Sequence, residues 1–178
     1  MKASRVILLV VVAAATLFTM TPIVSAQSAG LTDDQRDRIK LNCVTIKSTL
    51  TQLQANDALL RANRGQVYES MKTRLMDRFN SRLTSNSLDA RGLSSLTKTY
   101  DERLGLFRAH YADYARQLDT ALKIDCTRDP DAFHLAVANA RTKRGIIHDD
   151  VKRLHVLIDD YRSSVIDFKT NFQRVSED

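Results

Sequence analysis

The feature that most limits this chain is a seam near its C-terminal end. Phe133, Val137, Ala140, Arg144, Ile147, Val151, Leu154, Ile158, Tyr161, Val165, Phe168, Phe172 and Val175 follow one another in steps of four and three. Only Arg144 among them is charged. Steps of this kind put every member on one stripe of an α-helix, and a stripe so long needs long helical neighbours to cover it. Composition agrees: there are no Trp, two Pro and five Gly, and no run alternates apolar and polar residues as a half-buried strand would.

Two further segments carry seams. The first opens at Thr32, an N-cap residue with Gln35 placed to complete a capping box. Ile39, Cys43, Ile46, Leu50, Leu53, Leu60, Val67, Met71, Leu75, Phe79 and Leu83 follow, with Asp57 and Arg64 at the two seam positions that are not apolar. Thr84–Ser87 reads as a turn. The second segment carries Leu96, Tyr100, Leu104, Phe107, Tyr111, Tyr114, Leu118 and Leu122. Asp129-Pro130 then restarts a helix, as N-cap and first helical position. The expected fold is all-α: an elongated antiparallel three-helix bundle with coiled-coil-like seams. Its helices span about 32–84, 88–126 and 130–175. Asn63-Arg64-Gly65 is the point where helix one could break and make a four-helix version.

The cysteines offer a check on the register. The midpoint of 43 and 126 is 84.5, inside the expected turn, so Cys43 and Cys126 fall at one level of two adjacent helices. In an exported protein that level predicts a disulfide; free thiols or an intermolecular bond are the alternatives. The same levelling brings Arg144 opposite Asp57, a polar layer that Arg64 extends, and such a layer disfavours slipped registers. It also puts Gly65 level with Gly105, and Gly145 near Tyr111, as points of close helix approach.

Export is expected from residues 1–26. Lys2 and Arg5 precede an apolar run, Pro22 interrupts it, and Val24-Ser25-Ala26 supplies small residues for cleavage before Gln27. A retained N-terminal anchor is the alternative, and membrane contact would then run through this segment alone. Taking 26 residues from 178 leaves 152, a single domain over 27–178, and removing two cations lowers the net charge from +6 to +4. That is too weakly basic to indicate a nucleic-acid binder.

Six cations against two acids between Arg61 and Asn86 make the densest basic stretch. Arg74, Arg78 and Arg82 line one helix face, with Arg61 and Lys72 nearby, as a surface for an anionic envelope component or an acidic protein. His110, His148 and His155 lack ligand spacing for a metal, and no phosphate loop or nucleophile elbow is present. The reading is therefore a non-enzymatic extracytoplasmic protein without cofactor, acting through protein or envelope contacts.

Leu41-Asn42-Cys43, Ala62-Asn63-Arg64-Gly65-Gln66-Val67-Tyr68-Glu69, Ala140–Arg144 and Ile158-Asp159-Asp160-Tyr161-Arg162 together resemble an uncharacterised group of small secreted helical proteins from candidate-phylum bacteria with reduced genomes. That resemblance implies no activity and carries over no functional residue. Leu31-Thr32-x-x-Gln35 is similar to the L-T-x-x-Q motif of periplasmic stress chaperones of the Spy and CpxP type. This second resemblance implies a holdase as the alternative function.

Overall fold

Thr32 starts the helical part of the chain as its sequence foretells. Its hydroxyl accepts from the Gln35 backbone N–H at 3.3 Å, and the Gln35 side chain accepts from the Thr32 N–H at 2.9 Å. In the computed structural model, which describes residues 30–177, helices are α1 (Asp33–Leu41), α2 (Cys43–Ser70), α3 (Asp77–Ser85), α4 (Arg91–Lys123) and α5 (Pro130–Glu177). A π-helical turn, Met71–Met76, joins α2 to α3. No strand occurs among the described residues. The expected signal peptide at 1–26 and the Val175 side chain lie outside them.

The expected first helix is thus four pieces in series. At Asn42 the side-chain amide donates to the Arg38 carbonyl at 2.8 Å, competing with the backbone for that acceptor and pulling one residue out of helical geometry. The i→i−4 bonds nevertheless continue across it, from Asn42 N–H to Arg38 and from Ile46 N–H to Asn42. No break occurs at Gly65, which lies inside α2.

The larger departure is the π turn. At about 100° per residue, Met76 would sit roughly 100° around the helix from Asp57 and miss the core. A π turn accommodates an extra residue and restores the phase. Asp57, Tyr68, Met76, Asn80 and Leu83 are accordingly the buried residues along this stretch. The expected seam members Leu60, Val67 and Leu75 are turned outward, at 49%, 52% and 61% exposure. Two tyrosines brace the turn. Tyr100 donates to the Tyr68 carbonyl just before it at 3.0 Å, and Tyr161 donates to the Met76 carbonyl at its last residue at 3.3 Å.

The next connection is tighter than a plain polar turn. Leu88 N–H reaches the Leu83 carbonyl and Ser87 N–H the Thr84 carbonyl, a Schellman closure. It puts Ser87 at φ 58, a left-handed position usually left to glycine. This closure keeps 88–90 out of the helix, so α4 begins at Arg91 rather than 88. At its other end α4 stops at Lys123, short of the expected 126, where Ile124 turns extended. Asp129 caps α5 through Oδ1, which accepts from Ala132 N–H at 3.0 Å, with Pro130 as the first helical residue.

Long-range partners reveal the register. Between the 33–85 stretch and α5, Arg36 meets Asp131, Asp57 meets Arg144, Tyr68 meets His155 and Phe79 meets Phe168. Between that stretch and α4, Tyr114 donates to Asp57, Arg108 pairs with Glu69, and Asn80 donates to Thr97, while Cys43 bonds Cys126 in the connection that follows α4. The main core gathers Tyr68, Met76, Leu83, Leu93, Tyr100, Leu104, Phe107, Leu154 and Tyr161. The α5 seam follows its expected stripe through Phe168. Phe172 stacks on Phe168 but is half exposed, and no described residue beyond Phe168 packs on a core cluster.

A cystine closes the end opposite the Ser87 turn. Cys43 and Cys126 are bonded across 83 residues of sequence with Cα atoms 5.6 Å apart, among Ile39, Ile46, Leu50, Phe133 and Val137. Restricting so long a loop in the unfolded chain stabilises by about 2–4 kcal/mol. The paired variant Cys43→Ser/Cys126→Ser should lose about that much in urea unfolding while keeping its helical circular dichroism. Unreduced protein should weigh two hydrogens less than reduced protein, and alkylation of both cysteines without prior reduction would contradict the bond.

Candidate functional site

Between Asp57 and Tyr68, α2 buries no side chain. The gap this leaves is a cleft of about 490 Å3, walled by Leu60, Arg61 and Arg64 of α2 and by Arg141, Arg144, Gly145 and His148 of α5. Phe107, Tyr111 and Tyr114 of α4 form its floor, with Ile147 and Val151 beside them.

At one end of the cleft a buried carboxylate organises three helices. Arg144 donates to Asp57 through Nε at 2.9 Å and Nη2 at 3.1 Å, and the Tyr114 hydroxyl donates to the same carboxylate at 2.7 Å. The Asp57 side chain is 9% exposed and that of Arg144 is 52% exposed, so the acid is enclosed and the base half solvated. Burial by itself would raise the Asp57 pKa. Hydrogen bonds from Arg144 and Tyr114 outweigh it and hold the acid below its usual range. Burial, together with that bond to Asp57, pushes the Tyr114 hydroxyl well up, so it stays a neutral donor.

The other cations of the cleft have no carboxylate. Arg61 lies over the Tyr111 ring, 4.9 Å from its centroid. Arg64 sits by the Tyr68 hydroxyl, where its charge partly offsets the upward push of burial on that tyrosine. Arg61, Arg64 and Arg141 form no ion pair among the described residues. Tyr111 is buried, at 7% exposure, and its hydroxyl, which has no hydrogen-bond partner among the described residues, is open to the cleft rather than enclosed. The site is therefore an apolar, aromatic trough with a cationic rim.

The expected site residues separate into distinct places. Asp57 and Arg144 share the polar layer, while Arg64 stands apart from it on the cleft wall. Of the expected basic surface, Arg61 belongs to the cleft. Lys72 is held at 3.1 Å from Asp77 and 3.8 Å from Asp101. Arg74, Arg78 and Arg82 remain exposed, with no ion pair to Asp159 or Asp160. A Cβ added at Gly65, Gly105 or Gly145 would touch nothing within 4 Å, so none is a point of close helix approach. Open space in place of packing at Gly145 helps to form the cleft.

The aromatic floor is the part that sequence reasoning missed. The usable signal was the concentration of irregularities near one level: Asp57 and Arg64 in one seam, and Arg144 in another with Gly145 beside it. A second polar contact was also missed, between His110 Nδ1 and the buried Asp150 carboxylate at 2.6 Å. No group of three or more His, Cys, Asp or Glu among the described residues is placed to hold a metal ion. None of the described helices is long and apolar enough to cross a membrane.

No known protein family matches the chain, and neither a curated protein nor a solved structure shows significant similarity to it.

Arg144→Met leaves Asp57 buried with one donor, a cost of about 1–3 kcal/mol at neutral pH. The folded Asp57 pKa lies below its ordinary 3.8, so ionised Asp57 contributes stability above the unfolded value, and that contribution disappears as pH falls through the folded one. The gap between native protein and Arg144→Met, followed by thermal melts, should be full above about pH 5 and shrink toward pH 3. A gap independent of pH would show that the lost contact is not the ion pair.

Proposed function

We propose that the exported chain is a disulfide-stapled, antiparallel three-helix bundle that works outside the cytoplasm by binding an anionic partner of the cell envelope, without catalysis. Support for the bundle comes from the register of contacts. Numbers rise together between the 33–85 stretch and α5, and run oppositely between that stretch and α4. The buried cystine supports an oxidising location.

The observation that carries the binding role is the cleft rim. Arg61, Arg64 and Arg141 stand on two facing helices, and the one carboxylate in the cleft, Asp57, already accepts from Arg144 and Tyr114. Guanidinium groups without acids, set above an apolar floor, favour an anion over a cation or a neutral sugar. The residues lining the cleft offer hydrogen-bond donors and apolar surface, which suits recognition.

Charge reversal provides the test. Purified oxidised protein immobilised against native envelope fractions should lose roughly ten-fold or more of its retention on Arg61→Glu/Arg64→Glu/Arg141→Glu. Retention should also weaken as salt rises. Exposed cations contribute little to folding, so the helical content and the cystine should persist in the variant. Unaltered retention would rule the cleft out as the binding surface.

A holdase chaperone is a second reading, favoured by one observation. Val67 and Leu75 project outward from the first helical stretch, and Leu75 also lines an apolar groove with Met71, Ile158, Val165 and Ile166. Apolar surface of this kind can receive unfolded clients. Light scattering from a reduced, aggregating client should fall at equimolar protein, and Val67→Ser/Leu75→Ser should remove that protection. Unchanged scattering at equimolar protein would eliminate the holdase.

A further inference from the structure

We infer that the cleft receives a small amphipathic anion, a single carboxylate or phosphate head on an apolar body. This assignment rests on the binding role above and names the chemistry of its ligand. Four features of the cleft lead to it.

Size is the first. An open cleft of about 490 Å3 falls within the volume range of pockets that bind small molecules. The second is the division of the lining. Phe107, Tyr111, Ile147 and Val151 supply apolar surface, while the cations stand on the two walls. An anion with no apolar part would leave that floor wet, and an apolar molecule with no charge would leave the guanidinium groups without a partner.

The third feature is a set of donors held ready. Arg61 is laid against the Tyr111 ring at 4.9 Å, which restrains a guanidinium that would otherwise sample many rotamers. A planar guanidinium presents paired N–H donors to a carboxylate or phosphate edge. The Tyr111 hydroxyl is a further polar group of the trough without a hydrogen-bond partner among the described residues. Burial raises its pKa, so it presents a proton to an incoming anion and carries no repelling charge.

Gly145 is the fourth. A mid-helix glycine lowers helix stability relative to alanine, and here no neighbouring atom requires one. Lining the cleft, it leaves unfilled the volume a side chain would take from the ligand. Gly145→Leu therefore offers a blocking variant whose helix is favoured by the substitution.

The test is calorimetric titration of the oxidised, exported protein at low salt. Octanoate, 3-phenylpropionate and phenyl phosphate serve as amphipathic anions. Octanol, 3-phenylpropanol, acetate and inorganic phosphate serve as controls. At least one amphipathic anion should bind roughly ten-fold or more tighter than its alcohol and than the bare anions. Preference for octanoate points to an acyl-chain source, and preference for the phenyl compounds to a soluble aromatic one. Gly145→Leu should weaken binding about ten-fold or more while raising the melting temperature. Arg61→Gln/Arg141→Gln should weaken the anions and leave the alcohols unchanged.

Alcohols binding as well as their acids, no amphipathic anion binding at millimolar concentration, or full binding by Gly145→Leu would each overturn the inference. If small anions fail while charge reversal still abolishes envelope retention, the cleft holds part of a macromolecule, and only the small-ligand assignment falls. If both fail, the cleft has no binding role.

Discussion

A single residue absorbed between Met71 and Met76 sets the conditions for the rest of the fold. An α-helix running unaltered from Asp57 would carry Met76, Asn80 and Leu83 away from the face that holds Asp57 and Tyr68. The π turn returns them to it, and with them the contacts of the main core. Such a turn loosens the regular i→i−4 pattern, and the structure compensates through hydroxyls from both neighbouring helices. Tyr100 donates to the carbonyl before the turn, which also accepts from Met71 N–H, and Tyr161 donates to the carbonyl at its end. Tyr161 also donates to Asn80 Oδ1 at 2.8 Å, and Asn80 Nδ2 donates to Thr97 at 2.8 Å. Burial of Tyr161 pushes its pKa up to about 12, keeping the hydroxyl a neutral donor at neutral pH. This polar network is buried yet satisfied: among the described residues no enclosed side-chain nitrogen or oxygen lacks a partner.

Much of the helical content was legible because it rests on local chemistry. The capping box at Thr32 and Gln35 and the cap at Asp129 with Pro130 follow from a few adjacent residues. The cystine was legible for another reason: two cysteines equidistant from a turn need only approximate levelling to meet. The seam of the first stretch failed where it depended on accumulated phase. A seam drawn in steps of four and three repeats every 3.5 residues and drifts about 20° per heptad on a straight helix, so Leu60, Val67 and Leu75 were assigned inward and face outward. Nothing in Met71-Lys72-Thr73-Arg74-Leu75-Met76 announces a wider turn. The carbonyls beside it are met by tyrosines of two other helices, which only folding brings there.

The candidate site was half visible for a related reason. Asp57, Arg64 and Arg144 were conspicuous as charges in apolar seams, and Arg61 as part of a basic stretch. Their shared level follows from register. Whether the space between them is filled depends on side-chain size and on how far α2 stands from α5, which sequence spacing does not encode. Phe107, Tyr111 and Tyr114 illustrate the difficulty. Their spacing on α4 is that of core residues, and they are buried. What makes them a floor is the absence above them of an inward side chain between Asp57 and Tyr68.

Asp57 then decides which of the cleft's cations is tied into the structure and which are left without an acid. Its carboxylate is enclosed, so it needs charged or strong donors, and Arg144 and Tyr114 meet that need from α5 and α4. The resulting layer ties the three long stretches together at one level, where a slip by one turn would leave a buried charge without partners. Arg144 is thereby oriented, with two of its five N–H donors directed to Asp57. Arg61, Arg64 and Arg141 have no comparable duty. Removing one of them leaves no buried group unsatisfied, whereas removing Arg144 does. Folding stability and anion affinity should therefore respond to different arginines within one cleft, separated by the presence or absence of a buried acid.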